Sequence, residues 1–235
     1  MNKRNTILLL LACLLSLSVA AQNDEQQKAR NKALRDSLAQ ATQVLAYHPD
    51  SIDLRLKKAA WNIQLEQWRY AKDDLDKVLF LNNTNIAGLF YRAYVNEKLL
   101  RYNFARLDYQ NLLVLVPGNF QAQLGLALLN EKDKHYTEAY DGINGLIEQY
   151  PDSALAYAAR GGMEKEQGKL ELAEYDYAKA MSLDEANEDY ALNHVDLLIQ
   201  LGRKNEAYED LRRLLARGIS SGRLQDFYAR LRKMK

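Results

Sequence analysis

Four times along this chain a basic side chain stands sixteen residues ahead of an aspartate: Lys58 before Asp74, Arg92 before Asp108, Arg160 before Asp176 and His194 before Asp210. Such a column serves either as a row of ionic sites or as a set of partly buried ion pairs. The second is the commoner use, because a carboxylate removed from water needs a partner, and the pair then fixes register. Between Arg92 and Arg160 the next step would fall on Leu126 and Gly142, where both charges vanish together, as pairing requires. Other chemistry has little support. His48, His135 and His194 are scattered, and none lies within metal-ligand spacing of another His or Cys. No glycine-rich phosphate loop or nucleophile motif is present. Adjacent acids such as Asp73 and Asp74 read as a solvated helix face rather than a general acid/base pair. The residues thus predict a protein with no catalytic group, no metal and no cofactor.

The same column asks for elements that bring residues sixteen apart together, and antiparallel helices do so. Pro49, Pro117 and Pro151 are separated by 68 and 34 residues, multiples of one period. Units of 34 residues beginning at Ile52, Ile86, Phe120, Ala154 and Glu188 align Ala71, Ala105, Ala139, Ala173 and Ala207 at position 20. Position 8 holds Ala59, Ala93, Ala127, Gly161 and Val195, while position 24 holds Leu75, Tyr109, Ile143, Tyr177 and Leu211. Small residues at 8 and 20 let two helices approach. Large ones at 24, and Val78, Leu112, Leu146, Ala180 and Leu214 at 27, fill the space between hairpins. The paired charges occupy positions 7 and 23, at one level of each hairpin. Position 11 holds Asn62, Asn96, Asn130, Glu164 and Leu198, with the Asn side chains expected to hydrogen-bond a loop or a neighbouring helix.

Period, small columns and proline together resemble the tetratricopeptide repeat (TPR), over residues 52 to about 221 and without insertion. The departure is at position 4, where the family's aromatic survives only as Tyr157, with Leu89 a weaker match. The resemblance implies an all-α fold, a right-handed superhelical solenoid of antiparallel helical hairpins with about twelve helices. Its repeats are 52–85, 86–119, 120–153, 154–187 and 188–221. Residues 22–51 read as a capping half repeat, with Leu34, Leu38, Ala41 and Leu45 on one face, and residues 222–235 as a C-terminal capping helix carrying Leu224, Phe227, Tyr228 and Leu231.

In the family one helix of each hairpin lines a concave groove through positions 2, 5, 9, 12 and 13. Carried over, these positions supply Phe90, Tyr94, Leu124 and Leu128 beside Glu97, Lys98, Glu131, Lys132 and Lys165. Apolar side chains in a groove suggest a protein or peptide partner, with packing between repeats as the alternative use. Positions 5 and 9 hold Leu56, Phe90, Leu124, Ala158 and Leu192, and Ala60, Tyr94, Leu128, Gly162 and Asp196, so no clamp for a C-terminal carboxylate can be assembled from them.

Residues 1–21 read as an export signal: Lys3 and Arg4, an apolar run from Ile7 to Val19, then Val19-Ala20-Ala21 before Gln22. The expected location is the periplasm. The alternatives are a lipid anchor at Cys13, after Leu10-Leu11-Ala12, an uncleaved apolar anchor, or secretion. Cleavage before Gln22 removes Cys13 and leaves a chain of net charge −1, with no overall attraction for polyanions, and nucleic acid is not expected. Residues 201–235 hold ten Lys or Arg against four Asp or Glu. That basic end suits either a solvated cap or, as the weaker reading, contact with anionic lipid or an acidic partner. The leading expectation is a non-catalytic exported scaffold. The rival is a structural subunit of an envelope assembly using its outer face or its basic end.

Overall fold

The computed structural model describes residues 3–234 and, beyond the backbone, the side chains of residues 24–234. The export-signal reading of residues 1–21, Cys13 included, therefore lies outside the described side chains. Among the described residues there are twelve helices and no strand: α1 (Lys3–Tyr47), α2 (Ile52–Gln64), α3 (Trp68–Leu81), α4 (Ile86–Lys98), α5 (Tyr102–Leu115), α6 (Phe120–Lys132), α7 (Tyr136–Gln149), α8 (Ala154–Glu166), α9 (Leu170–Leu183), α10 (Glu188–Gln200), α11 (Lys204–Ala216) and α12 (Ser221–Lys233). Helices α2, α4, α6, α8 and α10 start on the first residues of the five 34-residue units; these are the A helices, and α3, α5, α7, α9 and α11 the B helices.

The punctuation is local chemistry. Asn85, Asn119 and Ser153 accept hydrogen bonds on their side chains from the backbone N–H groups of Gly88, Ala122 and Ala156, and Asn187 accepts from Asp189. Each satisfies a donor that the first helical turn leaves orphaned. At the other end of every A helix, position 15 adopts a left-handed conformation: Glu66 (φ 56°), Leu100 (59°), Lys134 (63°), Gly168 (74°) and Gly202 (77°). The position 11 carbonyl then accepts from the position 16 N–H, as in Asn62 from Gln67 at 2.8 Å and Asn130 from His135 at 2.7 Å. This is a Schellman cap, which reverses the chain in two residues and launches the B helix antiparallel. Repeats four and five use glycine there; the first three hold a side chain in a region that costs about 1 kcal/mol.

The chain divides within α5 into two compact units, residues 1–108 and 109–235. In the first, Ala59, Ala71, Leu75 and Val95 form a core against Leu56, Ile63, Trp68, Tyr91, Tyr94 and Leu99. Helix α1 covers its start with buried Ala41 and Leu45 and half-buried Leu34 and Leu38. In the second, Ala127, Ala139, Ile143, Leu146 and Met163 pack together, followed by Ala158, Ala173, Tyr177, Ala180 and Leu197. The last layer, Val195, Leu198, Ala207, Leu211 and Leu214, closes on Leu224 and Leu231 of α12. All five alanines of position 20 are fully buried, which sets how near A and B helices come. Large position 24 side chains use that closeness. A Cβ on Gly125 would lie 2.7 Å from the Tyr109 ring, and one on Gly161 would lie 3.0 Å from Tyr177.

In repeat three a cavity of about 270 Å³ is lined by Gln123, Gly142 and Gly145 beside Leu113, Ala127 and Leu146. Gly145 sits inside α7, and a Cβ there meets nothing within 4 Å. Gly145→Ala is therefore expected to raise stability by about 0.5–1 kcal/mol, by removing a flexible residue from a helix interior. Urea melts check this, and a destabilised variant would refute the account of α7.

Candidate functional site

The sixteen-residue step closes inside each hairpin that carries it. Arg92 grips Asp108 with two bonds, Nε to Oδ2 at 2.9 Å and Nη2 to Oδ1 at 2.7 Å. Arg160 does the same to Asp176 at 2.7 and 2.8 Å. Lys58 Nζ lies 3.2 Å from Asp74 Oδ2, whose second oxygen is held by Arg55 at 3.0 Å. His194 Nδ1 lies 2.7 Å from Asp210 Oδ2. The four carboxylates are between 1% and 5% exposed, so the cations are their main replacement for water.

Each of the last three cations also reaches back to the preceding B helix. Arg92 Nη1 donates to Asp76 at 3.1 Å, Arg160 Nη1 to Asn144 at 2.8 Å, and His194 Nε2 lies 3.0 Å from Glu174 Oε1. Each joins two B helices as well as its own hairpin. Sequence reasoning missed this second acceptor, although for the arginines the signal is present: Asp76 and Asn144 stand sixteen residues before Arg92 and Arg160. Burial works against charging Arg92, but its bonds to Asp108 and Asp76 outweigh that and raise its pKa. The Asp176 bond leads in raising that of Arg160. For His194 burial opposes protonation, and the hydrogen bonds to Asp210 and Glu174 more than reverse it.

The Asn column is buried, with Asn62, Asn96 and Asn130 at 3%, 2% and 7% exposure. Asn96 donates to Asp108 Oδ2 at 3.3 Å, adding an amide to the Arg92 pair, while its Oδ1 finds no partner. Glu164 takes the same place in repeat four, beside Asp176. Burial first, and then repulsion from Asp176, push its pKa from 4.5 up to about 7. In its protonated form it is a donor where Asn96 is one, so repeats two and four can each place a hydrogen-bond donor beside the position 23 carboxylate.

The candidate groove residues are described unit by unit. In the first, Phe90, Tyr94, Glu97 and Lys98 lie on α4. Tyr94 packs edge-on against Trp68 at 6.0 Å and carries the Lys98 ammonium 5.1 Å from its ring, so much of it belongs to the core. Phe90 is half-buried against Tyr91. In the second unit Leu124 packs into the core of repeat three, whereas Leu128 is 39% exposed. Glu131, whose pKa is raised by partial burial and by Glu166, and Lys132 follow on α6. Lys165 of α8 is tied to Asp196 at 2.6 Å, and Asp196 also takes Arg230 at 2.7 Å. Part of the basic end is thus internally paired: Arg223 also binds Glu188 and Asp189. Among the described residues no three of His, Cys, Asp and Glu are grouped to hold a metal ion, and no helix is long and apolar enough to cross a membrane.

These paired helices are also what comparison with known proteins finds. No family model matches the chain. Sperm-associated antigen 1 of Homo sapiens is 26% identical over 119 residues, 49% of this chain, and the chain spans only 13% of that protein's length. Among solved structures, a tetratricopeptide repeat protein from Parabacteroides merdae superposes with a TM-score of 0.70 at 21% identity, covering 87% of this chain and 80% of its own. A thermophilic TPR protein of Thermus thermophilus gives 0.60 at 18% identity, with 77% and 98% covered. YrrB, a TPR protein with an unusual peptide-binding site, gives 0.52 at 15% identity, with 77% and 93% covered. The chain has the tetratricopeptide-repeat fold.

Two outcomes follow from the pairs. Arg92→Leu strands the buried Asp108 and is expected to cost about 3–5 kcal/mol, whereas Arg92→Leu with Asp108→Leu should cost clearly less. Additive losses in melts would contradict this. Glu164, with its folded pKa above the unfolded value, contributes stability that is complete below about 4.5 and lost as pH rises through about 7. His194, also raised, loses its contribution in the same direction. Stability should fall between pH 5 and 8, and Glu164→Gln should flatten part of that slope. An unchanged slope in pH-dependent melts would count against it.

Proposed function

We propose that this chain is a non-catalytic scaffold that holds a protein or peptide on the A-helix faces of its repeats. The observation that carries the reading is side-chain area left beside charges after packing is complete. In the second unit Leu128 stays 39% exposed one turn before Lys132, although its neighbours Ala127 and Leu129 are fully covered. In the first unit Phe90 is half-exposed one turn before Tyr94 and two before Lys98. Apolar groups flanked by both signs of charge suit a peptide whose apolar side chains anchor it while polar ones orient it. The peptide-binding site for which YrrB is described adds support from a protein of the same fold.

Residues 1–21 support export to the periplasm, with Lys3, Arg4 and the run to Val19 ahead of Ala21. The alternative of an envelope subunit working through its basic end is weakened by the pairing of Arg223 and Arg230 within the fold. The test is crosslinked capture from native cell envelopes with mass spectrometry, comparing the unaltered chain with Phe90→Ser and with Leu128→Ser. Tyr94 is left intact because it is part of the core. Loss of the same captured protein by at least one variant with unaltered helicity is expected, and identical capture by both would sink the reading.

A further inference from the structure

Position 4 of the repeat decides what fills the gap between successive B helices. In repeat four it is Tyr157, whose ring lies between α7 and α9 with the Lys179 ammonium 5.9 Å and the Arg160 guanidinium 5.7 Å from its centroid. In repeat five position 4 is Ala191, and the ring is missing. At that place, between α9 and α11, the structure has a cavity of about 520 Å³, walled by Ala178, Met181, Ala191 and Leu214, with Arg213 and Arg217 on the α11 edge, Asp210 tied to Arg213, and Glu185 just past the end of α9. Arg213 occupies position 26, the position of Lys179 in repeat four, so the cation that accompanies the ring persists where the ring does not. It reaches Asp210 at 3.0 Å yet is 70% exposed, and Arg217, one turn on, has no ion-pair partner among the described residues.

We propose that this cavity receives an aromatic side chain of a polypeptide partner, flanked by carboxylates that meet Arg213 and Arg217. The ring would take the place that Tyr157 takes one repeat earlier, against Met181 and Leu214 and beside the Arg213 guanidinium. A pocket of this size and apolar lining suits one large side chain with a backbone segment across its mouth. The surface lies between the B helices of repeats four and five, α9 and α11, over Ala191 of α10, and uses neither Phe90 nor Leu128. It therefore stands or falls independently of them.

The test uses the full chain labelled with 13C at its methionine methyls, read by NMR. The probe is an acetylated, amidated Glu-Asp-Tyr-Glu-Asp peptide, with a copy holding Ala for Tyr and free 4-hydroxyphenylacetate as controls. The Met181 methyl is expected to shift on titration with the Tyr peptide while Met163, in the core of repeat three, does not. Ala191→Tyr, which builds the ring in, should weaken the peptide at least tenfold. Ala178→Leu, on the half-exposed facing wall, serves if that variant fails to fold. Arg213→Gln with Arg217→Gln should weaken binding several-fold and more so at low salt, where exposed charges act most strongly. A Met181 signal that ignores the Tyr peptide, or moves equally with the Ala peptide or in the filled variants, overturns the proposal. So does a response to 4-hydroxyphenylacetate alone, which would make the ligand a small aromatic acid. A shift with protein concentration alone would make the occupant a second copy of this chain, and would also overturn it.

Discussion

A carboxylate buried at position 23 is the constraint from which the hairpins follow. Asp108 and Asp176 sit at 2% and 1% exposure, where an unpaired charge would cost several kcal/mol. Each must therefore meet a cation from the facing helix at a fixed level, and the short side chains at positions 8 and 20 bring that helix within reach. The pair adds little net stability, because desolvation cancels most of its Coulomb energy. Stability comes from the apolar columns, where a fully buried side chain such as Leu75 or Leu146 contributes about 1.5–3 kcal/mol. The division of labour is clear: leucine and alanine hold the layers together, and the ion pair allows only one register between them. Because Arg92 and Arg160 spend a third N–H on the preceding B helix, the same charge that aligns a hairpin also aligns it with its neighbour.

Much of this was legible in the sequence, for a physical reason. A repeat that buries the same positions five times prints its contacts as columns, and five buried alanines at one position are hard to mistake. The helix starts at Ile52, Ile86, Phe120, Ala154 and Glu188 coincide with the 34-residue frame because each follows a Ser or Asn that caps it or stands at the cap. What was not legible was anything set by how long a side chain is. The turn of His194 to Glu174, the turning of Tyr94 into the Trp68 core and the capture of Lys165 by Asp196 all depend on rotamers that position numbers do not encode, whereas the reach of Arg92 to Asp76 repeats the sixteen-residue spacing. The consequence for the candidate groove is selective. Phe90 and Leu128 keep exposed area, whereas Tyr94 and Lys165 are partly committed to the fold.

Repeats three and five then show what happens when the column lapses. In repeat three Leu126 and Gly142 replace the pair together, so no buried charge is stranded. Ala127 closes on Gly142, 3.3 Å from where a Cβ on that glycine would stand, and the cavity of about 270 Å³ in this layer is left open at Gly145. Removing both partners avoids the electrostatic penalty but leaves the packing cost in place. The joint absence at Leu126 and Gly142 is therefore what pairing requires.

Repeat five lapses differently. Its position 7 residue is His194, shorter than arginine, and the preceding helix presents Ala178 where Asp76 and Asn144 accept in the earlier layers. His194 instead turns its second nitrogen to Glu174, a turn earlier on α9, and Arg203 reaches the same carboxylate at 3.1 Å. Moving the acceptor from position 25 to position 21 leaves Ala178 with nothing to contact across the gap, and Ala191 supplies no ring to close it. One rearrangement thus has two effects. It makes the charge network of this layer dependent on a protonated imidazole, and it opens the space between α9 and α11. Asp210 joins the two features, with one oxygen on the imidazole and the other on Arg213 at the cavity's edge.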